Sequence, residues 1–216
     1  MRIVCLSDTH GLHDEVVVPD GDVLLHSGDL TARGNPDEIA SVGAFLARLP
    51  HRHKVVIAGN HDFLFETDRE RAQELLGDVT FLQDDGATVE GLAVWGSPWQ
   101  PWFHDWAFNL ERGEALAEKW ALIPSGTDVL LTHGPPRGVL DTTRRGEGVG
   151  CDDLVDALER VRPALHLFGH IHEARGVERA EGTLYVNASC CGLRYPPVRP
   201  PVVLDWDADG PKVVSS

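Results

Sequence analysis

The feature that most constrains this chain is a pattern met five times: a short apolar run, rich in Val, Leu and Ile, that breaks at once into Asp, Asn or His. Arg2–Leu6 opens into Ser7-Asp8-Thr9-His10-Gly11, Val23–His26 into Ser27-Gly28-Asp29, and 55–58 into Gly59-Asn60-His61-Asp62. Further along, 128–131 leads to Thr132-His133-Gly134 and 164–168 to Gly169-His170-Ile171-His172-Glu173. Apolar runs this short, bounded by turn residues, read as strands covered on both faces. Between two of them, 36–49 carries Ile39, Val42, Phe45, Leu46 and Leu49 at helical spacing, with Asn35 as N-cap and Pro36 in the first turn. Strands alternating with a crossover helix predict an α/β chain whose strand exits converge on one edge, where such sheets bind ligands.

The remaining segments fit the same frame. Residues 67–77 read as a charged amphipathic helix, 79–95 as short strands, and 111–122 and 152–161 as further helices. The tail carries strands at 182–187 and 202–206, joined by an extended connector with Pro196, Pro197, Pro200 and Pro201. Residues 142–150 are Gly-rich, charged and expected to be mobile. No repeat, low-complexity segment or long linker divides the chain, so 1–216 reads as one domain.

Composition excludes several classes of function. A net charge of -15 opposes long nucleic acids, whose binding needs many Lys and Arg. No apolar run is long enough to span a membrane, and no basic leader with an apolar core is present, so cytoplasmic residence is the expectation. Cys5, Cys151, Cys190 and Cys191 have no C-x-x-C spacing and read as reduced packing residues.

The polar residues at the exits are carboxylates, imidazoles and one amide, without thiolates. That donor set suits divalent ions taking five or six O/N ligands better than a tetrahedral structural zinc. There are too many donors for one ion. Two ions sharing a carboxylate, roughly 3.5 to 4 Å apart, would use them all and suit in-line displacement at phosphorus. His26, His51, His53 and His166 lie outside the exits and read as core or surface filler.

These blocks resemble the calcineurin-like metallophosphoesterases, which carry Asp8-Thr9-His10, Gly28-Asp29, Gly59-Asn60-His61-Asp62, Thr132-His133 and Gly169-His170-Ile171-His172 in this order. The resemblance implies a four-layer αββα sandwich of two mixed sheets flanked by helices. It also implies that Asp8, His10, Asp29 and His172 hold one metal ion, and Asp29, Asn60, His133 and His170 the other. Asp29 would bridge, and His61, oriented by Asp62, would face the phosphate as proton donor or charge stabiliser. The likeness is greatest to the brain-type metallophosphoesterase-domain phosphodiesterases, through LLHSGDLT, VVIAGNHD, WGSPWQPWF, LLTHGPPRG, VRPALHLFGHIHE and VNAS, and covers nearly the whole chain. Some vertebrate members of that group have glycine at the position of His170; its presence here implies a complete two-metal site.

The resemblance thus implies hydrolysis of small phosphodiesters, cyclic nucleotides (2',3' or 3',5') foremost, with Mn expected and Fe, Zn, Co or Ni as alternatives. A phosphomonoesterase or protein phosphatase is the main alternative, since such metals serve monoesters equally well. A non-catalytic scaffold is a second, opposed by the intact ligand set; a nuclease is opposed by acidity. The stretch 95–109, WGSPWQPWFHDWAFN, holds four of the six tryptophans and cannot be a simple helix. Packing is its plain reading, but a rigid aromatic wall also suits a nucleobase, which makes Trp99, Trp102 and Phe103 the candidate substrate contacts. The oligomeric state is left open.

Overall fold

The central strands are buried on both faces and mostly apolar because their two faces feed different cores. In β1 (Arg2–Leu6) Ile3 and Cys5 point one way, Val4 and Leu6 the other, and all four are buried. The computed structural model describes residues 1–196 and 198–216; Pro197, one of the connector prolines, lies outside the described residues. After β1 come β2 (Val23–His26), α1 (Pro36–Arg48), β3 (His53–Val56), α2 (Phe63–Thr67), α3 (Arg69–Leu76) and β4 (Thr80–Phe81). The middle of the chain forms β5 (Asp85–Val89), β6 (Leu92–Ser97), β7 (Gln100–Pro101), β8 (Asn109–Leu110), α4 (Glu114–Ala121), β9 (Val129–Thr132) and α5 (Asp152–Val161). β10 (Leu165–Phe168), β11 (Gly176–Ala180), β12 (Thr183–Asn187), β13 (Val202–Asp207) and β14 (Gly210–Ser215) complete it.

Two mixed six-stranded sheets result, ordered β14-β13-β1-β2-β3-β4 and β11-β12-β10-β9-β6-β5. In the first, β1 to β4 run parallel; in the second, β6, β9, β10 and β12 do. The sheets face each other through Ile3, Cys5, Leu25 and Val55 from one and Val129, Leu131, Leu165 and Leu167 from the other. On the outer face of the first sheet, Ile39, Val42 and Leu46 of α1 and Leu76 of α3 cover Val4, Leu24 and Val56. On the outer face of the second, Leu116 and Trp120 of α4 and Leu154 and Leu158 of α5 cover Leu130 and Phe168. The architecture is the expected helix–sheet–sheet–helix sandwich. Each such side chain contributes ~1.5 to 3 kcal/mol by leaving water.

Local chemistry sets the boundaries. Asn35 caps α1 in a full capping box with Glu38, and Pro36 occupies the first turn, as its missing N–H permits. The helix expected over 67–77 is α3, which starts at Arg69 because Asp68 leaves helical geometry at φ -151° and its carboxylate caps α3 through Arg71 N–H; the short α2 before it is an additional helix. The aromatic stretch is not all loop: β7 and β8 pair in parallel, Gln100 opposite Asn109.

Candidate metal centre

The five polar exits leave the C-terminal ends of β1, β2, β3, β9 and β10, three in one sheet and two in the other, and meet where the sheets converge. The turns are abrupt. Asp8, His10, Asp29 and His170 adopt φ of 53°, 44°, 53° and 67°, a left-handed conformation that costs a non-glycine residue ~1 to 3 kcal/mol. Two motif glycines are explained by close approach. A Cβ on Gly59 would strike the Asp29 backbone and carboxylate, and one on Gly169 would strike the Asp8 carboxylate and Ser7 hydroxyl.

The polar atoms form two sets joined by one carboxylate. In the first, His172 Nε2 lies 3.1 Å from both Asp8 Oδ1 and His10 Nε2. In the second, His133 Nε2 lies 2.9 Å from Asn60 Oδ1, and His170 joins His133 and Asp29 within 4.8 Å. Asp29 divides its oxygens between tasks. Oδ1 accepts the His61 N–H at 2.8 Å, while Oδ2 stands 3.5 Å from His10 Nε2 and 3.4 Å from His133 Nε2. Donor atoms around an ion with bonds near 2.1 Å would be spaced about 3.0 Å in octahedral and about 3.4 Å in tetrahedral geometry. The observed spacings fit two divalent ions sharing Asp29. Orientation fits as well, since His133 Nδ1 and His172 Nδ1 donate to the carbonyls of Ser27 and Gly192 and leave each Nε2 turned inward.

Electrostatics show what the protein alone does with these charges. Burial would raise the Asp8 and Asp29 carboxyls, but His172 beside the first, and His133 and His10 beside the second, hold both well below the usual range. Burial would lower His133, yet Asp29 and Asp8 lift it to about 9. By contrast, burial pushes His10 down to about 4 and His170 to about 3. Protons on His133 therefore stand in for positive charge that the site is built to receive.

His61 is held differently from the expectation. Its Nδ1 donates to the Ala32 carbonyl at 2.8 Å, and its ring stacks on Trp106 at 4.2 Å between centroids. Asp62 does not touch the ring. Its buried carboxylate accepts from the N–H groups of Leu30, Thr31 and Gly59 and from the Thr31 hydroxyl, so it clamps the β2 and β3 exits together. Burial and the charge of Asp29 raise Asp62 to about 6. Its position for His61 is indirect, through the loop that carries Ala32. One ring nitrogen of His61 also lies within 4.8 Å of His10 and Asp29 donor atoms.

The family model of calcineurin-like phosphoesterases matches residues 1–174, which take in every one of these exits. The chain belongs to that family. It is 46% identical over 229 residues to the human protein "Metallophosphoesterase domain-containing protein 1", covering 94% of this chain and 70% of the relative. Its fold is that of TT1561 from Thermus thermophilus, at TM-score 0.66 and 15% identity over 99% of this chain and 98% of the other. An archaeal phosphodiesterase has the fold too, at TM-score 0.52 and 17% identity over 100% of each chain. Calcineurin-like phosphoesterases are metal-dependent hydrolases of phosphoric esters with a dinuclear divalent centre.

In this phosphoesterase two cavities adjoin the ligand atoms. A cleft of about 220 Å³ is lined by His10, Asp29, Asn60, His61, His170 and His172, with Trp106, Leu193, Tyr195 and Glu173 at its sides. Beside it a pocket of about 360 Å³ is lined by Trp102, Phe103, Arg112, Pro135, Ile171 and Glu173 among others. Phe103, His170 and Glu173 line both. Trp102 and Phe103 are 55% and 52% exposed, so these rings are free to meet a ligand. Trp99 is not on either wall: its indole N–H bonds Asp84, and Lys119 sits 4.4 Å over its ring. The aromatic stretch is tied to the centre by Ala107 N–H on the Asn60 carbonyl. Trp106 and Tyr195 line the cleft, against His61 and His10 respectively, and neither is among the substrate contacts expected from the sequence, although Trp106 lies within the aromatic stretch.

Proposed function

We propose that the protein is a two-metal phosphodiesterase acting on small diesters, nucleoside cyclic phosphates (2',3' or 3',5') foremost. The observation that carries this is the aromatic pocket opening on His170 beside the Asp29-centred ligand set. A phosphate in the cleft would place one ester arm against Trp102 and Phe103, where base stacking contributes ~1 to 3 kcal/mol. Charge favours a diester. No Lys or Arg lines the cleft among the described residues, and Glu173 does, so the second charge of a monoester has no side-chain counterion there.

Asp8, His10, Asp29 and His172 would hold one ion, and Asp29, Asn60, His133 and His170 the other. The thiolate-free donor set favours Mn, with Fe, Zn, Co or Ni as alternatives. Ions bound there supply Lewis-acid polarisation of the phosphoryl oxygens and acidify an attacking water. The chain's own contribution is positional. Asp29 Oδ1 and the Ala32 carbonyl fix the two ends of His61, Trp106 shields one face of its ring, and Nε2, when the ring carries a proton on both nitrogens, is left to give its proton to the departing oxygen. The water oxygen forms the new P–O bond and releases its proton to solvent, one ester P–O bond breaks as the departing oxygen takes the proton from His61, and a cyclic phosphate opens to a single nucleotide bearing a monoester and a free hydroxyl.

The test is a side-by-side assay of the Mn-loaded protein on bis-p-nitrophenyl phosphate, p-nitrophenyl phosphate and the 2',3' and 3',5' cyclic nucleotides. Diesters are expected to lead in kcat/KM. Preferential turnover of p-nitrophenyl phosphate would overturn the diester reading in favour of a monoesterase.

A further inference from the structure

The cations of this acidic chain are unevenly committed. Among its 19 Lys and Arg residues, the side chains that find no hydrogen bond or ion pair among the described residues are Arg33, Lys54, Arg69, Arg144, Arg145 and Arg194. Arg69 lies over the Phe81 ring, and Lys54 is within β3, away from its exit. The other four are exposed and stand on loops that follow β2, β9 and β12, parallel strands whose C-terminal ends face the metal centre.

Their positions border the cleft. Arg144 and Arg145 form the tip of a tight turn, closed by Gly146 N–H on the Thr143 carbonyl and Thr143 N–H on the Glu147 carbonyl. That turn is docked on the centre, because Arg144 N–H donates to Glu173 Oε1 at 2.9 Å, and Glu173 lines both cavities. Thr143 lines the aromatic pocket itself. Arg194 lies between Leu193 and Tyr195, which both line the cleft. Arg33 follows Ala32, whose carbonyl holds His61.

These four arginines make no side-chain ion pair among the described residues, although the chain holds 34 Asp and Glu. Clustered around one opening, such side chains raise the local potential and present guanidinium forks suited to phosphate oxygens. Inside the cleft there is no such cation among the described residues. We infer that the Arg144–Arg145 turn, with Arg194 also beside the cleft, is a subsite for a second, non-scissile phosphate, and that the preferred substrates are small diesters carrying a further phosphate group. The inference rests on the proposed diesterase reading and names its substrate class more closely. A long nucleic acid is a different occupant, disfavoured by the acidity of the rest of the surface.

The test compares adenosine 2',3'-cyclic phosphate with its 5'-phosphorylated form on the Mn-loaded protein, by calorimetric Kd and by kcat/KM, at low and high salt. The 5'-phosphate is expected to tighten binding about 10-fold at low salt, with the gain shrinking as salt screens it. In Arg144→Ala/Arg145→Ala, with its melting temperature checked against the parent, the ratio between the two ligands should collapse toward one. Equal Kd values in the parent, or a preference that survives the double variant, overturns the inference. Retained preference in binding without turnover of either nucleotide would support the subsite while refuting the proposed substrate. A single-stranded oligonucleotide that outcompetes the 5'-phosphorylated cyclic nucleotide would show that the rim serves a polymer and overturn the small-substrate assignment.

Discussion

The ring of His61 is separable from its backbone: the N–H that meets Asp29 survives truncation, and the ring is held by the Ala32 carbonyl and the Trp106 face, with an edge-on contact to His10 as its one touch on the ligand sets among the described residues. Removing its ring should therefore leave the ion-binding atoms in place. His61→Ala is expected to retain both metals by elemental analysis and to lose activity ~100-fold to 10,000-fold, the range for a general acid or base. The loss should be smaller for bis-p-nitrophenyl phosphate, whose leaving group needs little protonation. Asp29→Ala should instead shed metal, since one of its oxygens serves both histidine sets and the other anchors the His61 backbone. A metal-depleted His61→Ala with a replete Asp29→Ala would reverse these roles and make His61 a ligand, as its distance from His10 and Asp29 permits.

A strand of four residues shows how a buried polar side chain links an element to pH. β10 is buried on both faces: Leu165 and Leu167 enter the core between the sheets, and the alternate positions, His166 and Phe168, face the α4–α5 side. The Thr132 hydroxyl donates to the Gly134 carbonyl, so His166 Nε2 is the donor to Thr132 Oγ1 at 2.8 Å and the ring is neutral. Burial pushes His166 from 6.5 down to about 3. The unfolded chain thus takes up this proton first, and the stability it carries is whole above pH 6.5 and lost progressively as pH falls toward 3. Urea unfolding of His166→Gln should show a shallower loss across that window, by up to ~1.4 kcal/mol per pH unit. Parallel curves for the two proteins would mean that His166 is solvated or protonated when folded. The strand itself is legible from its apolar run, as are its exit residues; the reason a histidine can sit inside it is not, because Thr132 comes from a neighbouring strand. The same limit applies to Trp99, whose partners Asp84 and Lys119 lie on other elements, and to the left-handed turns at Asp8 and Asp29, which only the convergence of two sheets imposes. Periodicity separates strands from helices here, whereas the order of strands within the sheets follows from long-range pairing, and the four-layer arrangement is reached in the sequence only through motif resemblance.

At the scale of the whole molecule, the metal centre is the seam between the sheets. Asp8 and Asp29 come from the first sheet, His133 and His170 from the second, and each is tied across the seam: His170 N–H donates to Asp8, and His133 Nε2 stands 3.4 Å from Asp29. Ions bound to both sets would join the two halves of the sandwich as well as supply chemistry. Without them, two buried carboxylates depend for countercharge on the imidazoles beside them, and in return the carboxylates lift His133 to about 9 and raise His172. Binding to the folded state alone stabilises by mass action, ~2.7 kcal/mol for an ion present at about 100 times its Kd. For a chain of this size each kcal/mol moves the melting temperature by roughly 2 to 4 °C. Chelation at neutral pH should therefore lower the melting temperature by roughly 5 to 10 °C for each ion lost, and Mn should restore it together with activity. Acid should lessen the difference, because protons compete for the same imidazole and carboxylate atoms. A protein shown by elemental analysis to have lost its metal, yet melting at the same temperature, would mean that the centre contributes chemistry without joining the sheets.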